Sequence, residues 1–162
     1  MADEQTALAA LFKGWQEYQG HLHRAVAPLS PDQLELRAAP HLRTIGMLAT
    51  HIIGARARWF HYGLQEGDAG IAAMAGWDRE GSPPRTAAEL ADGLETTAHL
   101  IQESLAVWTP ADLAETFERE WGGQRETISR QWVIWHLIEH DLHHGGELSL
   151  TLGMHGLAAP DL

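Results

Sequence analysis

An all-α protein is predicted, a four-helix bundle in which residues 1–162 form one domain. Three observations carry this expectation. Four long segments repeat apolar residues at spacings of three and four, the period of a helix with one buried face. Capping residues stand in front of three of them, and no stretch makes a convincing strand. At 162 residues the chain has the length of one domain and can bury a sizeable core without crosslinks.

The first long helix runs from Thr6 to Val26, with Leu8, Leu11, Phe12, Trp15, Tyr18, Leu22 and Val26 on its apolar face. Pro28 ends it. In LSPDQL, Ser30 caps, Pro31 takes the first helical position and Gln33 completes a capping box, which gives a short turn broken by the APH that begins at Ala39. The second long helix spans Thr44 to about Gly63, with Thr44 as N-cap and Ile45, Leu48, Ile52, Trp59 and Phe60 facing inward. Leu64 to Arg85 is a long Gly- and Pro-bearing connection. Its length marks either a functional loop or a short helix of its own. A capping box at Thr86 and Glu89 opens the third long helix, which continues to about Trp108 through Leu90, Leu94, Ala98, Ile101 and Leu105. Thr109, Pro110 and Asp112 start a further short turn, and Gly122-Gly123 ends the segment from Phe117 in another. Thr127 or Ser129 caps the fourth long helix, which runs to about Leu152 and stops at Gly153.

Composition excludes several functions. The absence of cysteine removes disulfides, thiolate metal sites and a protein thiol nucleophile. A formal charge of −11, with Lys13 as the single lysine, argues against nucleic acid, whose affinity rests on phosphate neutralisation. The start MADEQTAL lacks the basic and apolar regions of a signal peptide, and His51 and Arg56 interrupt the best candidate for a membrane span. A cytoplasmic protein without membrane partners is expected.

Chemistry concentrates in the fourth long helix. Four of eleven histidines fall within residues 136–144, on an otherwise apolar helix. His136, His140 and His144, with His143 and Glu147, lie within an arc of roughly 100°. Histidines four apart can chelate one ion, whereas those eight apart stand about 12 Å apart along the axis and cannot. A metal can therefore use His136 with His140, or His140 with His144, and His140 is common to both pairs. Each buried imidazole needs a polar partner, which makes four structural histidines in nine residues a poor alternative. No Glu follows the first histidine of either pair, so the general base of the zinc metalloproteases is missing. For a further ligand, His51 stands out among apolar neighbours. His21, His23 and His61 are weaker candidates, His41 and His155 lie in loops, and His99 flanks an apolar face as a structural residue. Imidazoles without thiolates suit zinc, nickel or another borderline divalent ion. Glu147 is a ligand, an acceptor that orients an imidazole, or a base. The seven tryptophans suggest aromatic walls around a pocket or at a dimer contact.

TIGMLATHII, around His51, and HLIEHDLHHGGELSLTLGMHGLAAP resemble two signature segments of the DinB-like superfamily of metal-binding four-helix bundles. The order of helices and the long connection between the second and third long helices fit as well. The resemblance implies a metal triad of His51, His140 and His144, and leaves His136 as a neighbour of the site. It departs at one place: the superfamily commonly has Arg-Gly-Gln after the second histidine, where this chain has Gly145-Gly146-Glu147. The superfamily includes metal-dependent transferases that use low-molecular-weight thiols such as mycothiol, bacillithiol or glutathione. A metal-dependent thiol S-transferase or related hydrolase acting on a small electrophile is thus expected, with Glu147 or His136 as orienting or acid/base group. The competing expectation is a non-catalytic metal-binding module of stress response. A homodimer is expected in either case.

Overall fold

The computed structural model describes residues 2–160, and for residues 2–9, 11 and 121 the backbone alone. Expectations for the side chains of Leu8, Leu11 and Trp121 lie outside the described residues.

Helix α1 spans Ala2–Val26 and buries Trp15, Tyr18, Leu22 and Val26. The turn α2, Pro31–Leu34, has the expected capping box: Gln33 N–H donates to Ser30 Oγ at 3.3 Å, and Ser30 N–H to Gln33 Oε1 at 2.9 Å. Helix α3, Ile45–Arg58, is capped by Thr44, whose Oγ1 accepts from the Met47 N–H at 3.1 Å. It widens into a π-helical turn over Trp59–Gly63 that seats Phe60 in the core. The long connection holds a short helix, α4, Ala69–Met74, capped by the Asp68 carboxylate. Helix α5 spans Ala87–Val107 behind the Thr86–Glu89 capping box, and α6 is the turn Pro110–Ala114. Helix α7, Arg130–Met154, settles its cap on Ser129, which accepts from the Trp132 N–H at 3.1 Å. It runs past the expected stop at Gly153, and the chain turns instead at Gly156, at φ +70°.

One element departs from expectation. The segment read as a turn is an antiparallel hairpin, β1 Thr116–Trp121 with β2 Gln124–Ser129, in which Phe117 opposes Ile128 and Arg119 opposes Glu126. Gly122 and Gly123 at φ +60° and +78° supply the two positive φ values that a two-residue hairpin loop needs. Phe117 and Ile128 join the core, while Arg119 bonds Glu126 at 2.7 Å and lies over the rings of Trp59 and Trp132. The hairpin thereby closes one end of the bundle, against the end of α3 and the start of α7.

Helix α3 packs on both α5 and α7, and α1 packs on α5. Leu22, Ile45, Ile52, Ile53, Leu90, Ile101, Ile134, Leu137 and Leu148 are fully buried between them. Each contributes about 1.5–3 kcal/mol of transfer free energy. Trp15 and Trp135 wall a groove of about 620 Å³ between α1 and α7, and Trp108 stacks on Phe60 in the core.

A buried polar network ties the four long helices at mid-height. Arg56 and Asp141 are 1% and 0% exposed. Arg56 Nε and Nη2 donate to Asp141 Oδ2 at 3.2 and 2.9 Å, and Trp15 Nε1 and Gln19 Nε2 donate to the same oxygen at 2.9 and 3.2 Å. Arg56 also donates to Gln19 Oε1, and through Nη1 to Leu94 O at 3.2 Å and Thr97 Oγ1 at 3.3 Å. A buried charge pair is tolerable when its remaining donors and acceptors are filled, as here.

Candidate metal centre

Helices α3 and α7 bring His51, His140 and His144 together. His140 and His144 stand one turn apart on α7, and His51 faces them from α3. The Nε2 atoms of His51 and His140 are 3.2 Å apart, and ring centroids within the trio lie 4.5–4.8 Å apart. One nitrogen from each ring lies within 4.8 Å of the others.

Two carboxylates orient these rings from outside. His51 Nδ1 is 2.7 Å from Asp78 Oδ2, and His144 Nδ1 is 2.6 Å from Glu147 Oε2. With Nδ1–H donating outward, the Nε2 lone pair of each ring is left facing inward. Asp78 comes from the connection after α4, and Arg58 holds it there, with Nη2 donating to Oδ2 at 2.9 Å. Its approach needs a bare helix surface, which Gly54 provides: a Cβ at that position would stand 2.8 Å from Asp78 Oδ1.

Proton affinities follow from this packing. Burial drives His140 down to about 3, reinforced by the neighbouring imidazoles of His144, His51 and His136. His144 is also lowered by burial, against the opposing pull of Glu147. Burial alone would raise Asp78, but the bonds from His51 and Arg58 outweigh it and hold the carboxyl well below the usual range. Glu147 is lowered too: its burial is offset by the bond from His144 and by the charges of His143 and Arg43.

The residues fit a divalent ion. Two imidazoles bonded to a tetrahedral zinc at about 2.0–2.1 Å have nitrogens about 3.3 Å apart, close to the His51–His140 separation. His140 Nδ1 is buried with no hydrogen-bond partner, burial holds His140 and His144 toward the neutral form, and three converging imidazoles are the donor set a borderline cation takes. His143, His144 and Glu147 form a second trio that shares His144, but His143 is exposed.

Other candidates lie outside the trio. His136 stacks on Trp132 at 4.9 Å, meets Trp59 edge-on at 5.5 Å and bonds Glu139 at 3.2 Å. Its ring centroid is 5.9 Å from that of His140, so it borders the cluster without entering it. Among the described residues neither His21, His23, His41, His61, His99 nor His155 contributes to such a group. Asp78 and the Arg56–Asp141 pair escaped the reading of the sequence. Asp78 sits in an irregular connection where spacing predicts no partner, whereas a lone arginine and a lone aspartate inside apolar helix faces at positions 56 and 141 were a usable signal.

The family model for mycothiol-S-transferases matches residues 10–151. The chain belongs to this family. Among solved structures, a DinB-like protein from Bacillus cereus superposes with a TM-score of 0.70 at 23% identity, over 93% of this chain and 94% of the other. A conserved protein from Enterococcus faecalis gives 0.64 at 14% identity, over 90% and 97% of the two chains. These two likenesses bear on the fold, and they agree with the DinB-like bundle expected. No curated protein matches.

In this member of the mycothiol-S-transferase family, the residue after His144 is constrained by α1. Gly145 is buried, and the Tyr18 hydroxyl occupies the space that a Cβ there would need. An arginine at this position is therefore incompatible with Tyr18 as placed. The buried cation of this region is Arg56 from α3, 0% exposed at its side chain.

Proposed function

We propose that this protein is a metal-dependent transferase that joins a low-molecular-weight thiol to a small electrophile. The observation that supports it is the convergence of His51, His140 and His144, with Asp78 and Glu147 on the outer nitrogens of two of them, in a chain of this family. His51, His140 and His144 would hold the ion, zinc in the first place and nickel in the second. When bound, such an ion supplies Lewis acidity toward a thiol S–H, and three protein ligands leave a coordination position for it. With no cysteine in the chain, the sulfur nucleophile comes from the cosubstrate. The reaction forms a bond between that sulfur and a carbon of the electrophile, whose leaving group departs with its bonding pair. Asp78 and Glu147 fix the imidazole orientations throughout. Glu147, with its side chain 42% exposed, would be the group that passes the thiol proton to solvent. His136, stacked against indole and bonded to Glu139, borders the site beside His140.

The test begins with metal analysis of protein purified without chelator. Stoichiometric zinc or nickel is expected, as is conjugation of a fluorogenic electrophile that requires both metal and thiol. His140→Ala should abolish metal binding and His136→Ala should spare it; equal losses would refute the triad. Protein without metal, and without a rise in melting temperature on adding zinc or nickel, sinks the reading. Metal without turnover across thiols leaves a metal-binding module.

A further inference from the structure

Beside His51, the connection between α4 and α5 folds back over α3 and leaves a cleft of about 640 Å³. Its charge is opposite in sign to that of the molecule. The chain has a formal charge of −11 and ten arginines. Five of these, Arg37, Arg43, Arg58, Arg79 and Arg85, line this cleft, against the carboxylates of Glu35, Asp78 and Glu80. Asp78 is engaged by His51 and Arg58, and Arg85 pairs with Glu89 at 3.3 Å, which leaves Arg37, Arg43 and Arg79 against Glu35 and Glu80, a positive balance. The exposed guanidinium groups of Arg43 and Arg79 have no hydrogen-bond partner among the described residues. Arg85 lies over the Trp77 ring at 4.6 Å, and its buried Nε–H has no acceptor. A guanidinium held over an indole with an unused N–H has a donor left for an anion, and a positive cleft in an acidic protein concentrates small anions.

We infer that this cleft binds a carboxylate of the small-molecule reactant, adjacent to His51. The inference rests on the transfer reaction proposed above only for which reactant carries the acid. Its volume is in the range of small-molecule sites, and Trp77, Pro83 and Pro84 give it an apolar wall. Mycothiol has no carboxylate, so with that thiol the acid belongs to the electrophile; a thiol bearing its own carboxylates is the other source.

Calorimetric titration of zinc-loaded protein with succinate, 2-mercaptosuccinate and 2-mercaptoethanol, at constant ionic strength, tests this. Both dianions should bind, and Arg79→Ala and Arg43→Ala should each weaken them about tenfold, the loss of one charge-assisted bond. Both residues are exposed, so neither variant threatens the fold. Arg125→Ala, on the hairpin, should change nothing. Succinate that binds alongside saturating 2-mercaptoethanol places the acid on the electrophile, and 2-mercaptosuccinate that binds more tightly than either single-function probe places it on the thiol. Dianions that bind no better than 2-mercaptoethanol, or that are indifferent to Arg79 and Arg43, overturn the inference. The transferase reading fails in a different way: succinate still depends on Arg79 and Arg43, but the protein takes up neither metal nor thiol.

Discussion

Asp78→Asn keeps the size of the side chain and removes its charge. In the parent, Asp78 is 12% exposed at its side chain, accepts from His51 at 2.7 Å and is held by Arg58. A hydrogen bond to a charged group contributes about 1.5–3 kcal/mol net, and a neutral one about 1 kcal/mol. Asparagine retains one acceptor oxygen, which His51 and Arg58 must then share. The difference, about 1–2 kcal/mol, falls on the orientation of His51 and on its basicity as a ligand. Zinc affinity should therefore drop roughly 5- to 30-fold. Asp78→Ala, which keeps no acceptor, should reach about 100-fold. Competition against a chromophoric zinc chelator near neutral pH gives the affinities, and NMR of the His51 ring nitrogens gives the tautomer. The parent should show Nδ1–H alone, and the asparagine variant a mixture. If Asp78→Asn binds zinc as tightly as the parent, Asp78 does not set the ligand and the reasoning fails.

Acid should destabilise the metal-free protein in a defined window. His140, pushed down to about 3, and the lowered His144 refuse protons that the unfolded chain accepts near 6.5. Stability then declines as pH falls below about 6.5, by at most about 1.4 kcal/mol per pH unit for one such ring, less here because His140 is part-exposed. The decline from His140 ends near pH 3. Asp78, held below its usual range, adds its own loss only below about pH 4. Melting temperature against pH should show a shallower acid limb in His140→Asn, and an unchanged limb contradicts the assignment. Asp141→Asn, which leaves Arg56 buried without its counter-charge, should cost about 3–5 kcal/mol in denaturant unfolding. Arg56→Met with Asp141→Leu should recover most of that; a double variant as unstable as the single one would show that the network does more than neutralise a buried charge.

Much of this architecture could be read directly from residue patterns. The caps at Ser30, Thr44 and Thr86 and the short turn at Thr109 are found where side-chain spacing puts them, because these are local effects between residues three apart. The hairpin was illegible for the opposite reason. In TFEREW and QRETIS, charged residues occupy both faces, and among the described side chains Phe117 and Ile128 alone reach the core, so the alternation is weak. Its Gly-Gly loop, flanked by residues of strand propensity, was the available sign. On α7, geometry limited any metal to one pair of histidines four apart. Choosing His140 with His144 over His136 with His140 came from the family likeness, and in the fold that pair lies together with His51. Asp78 could not be read, since it lies 27 residues beyond His51 in an irregular stretch of the connection that no periodicity describes.

The neighbouring positions of His140 and Asp141 link the fold to the site. Successive residues on a helix point about 100° apart, so α7 turns Asp141 into the core network while it turns His140 toward His51. On α3, Arg56 follows His51 by five residues and meets that same Asp141. Rotation of either helix that improved the spacing of the imidazoles would therefore pull a buried charge off its partner. The network thus ties α3 to α7 within five residues of His51 and next to His140, and it holds the two ring nitrogens' helices in the register that gives their 3.2 Å approach. In the metal-free protein His140 Nε2–H can donate to His51 Nε2 at that distance, and a cation takes the place of that proton. The free energy gained on metal binding should thus exceed that of the same three histidines on unconstrained helices, because the cost of assembling them has already been met in folding.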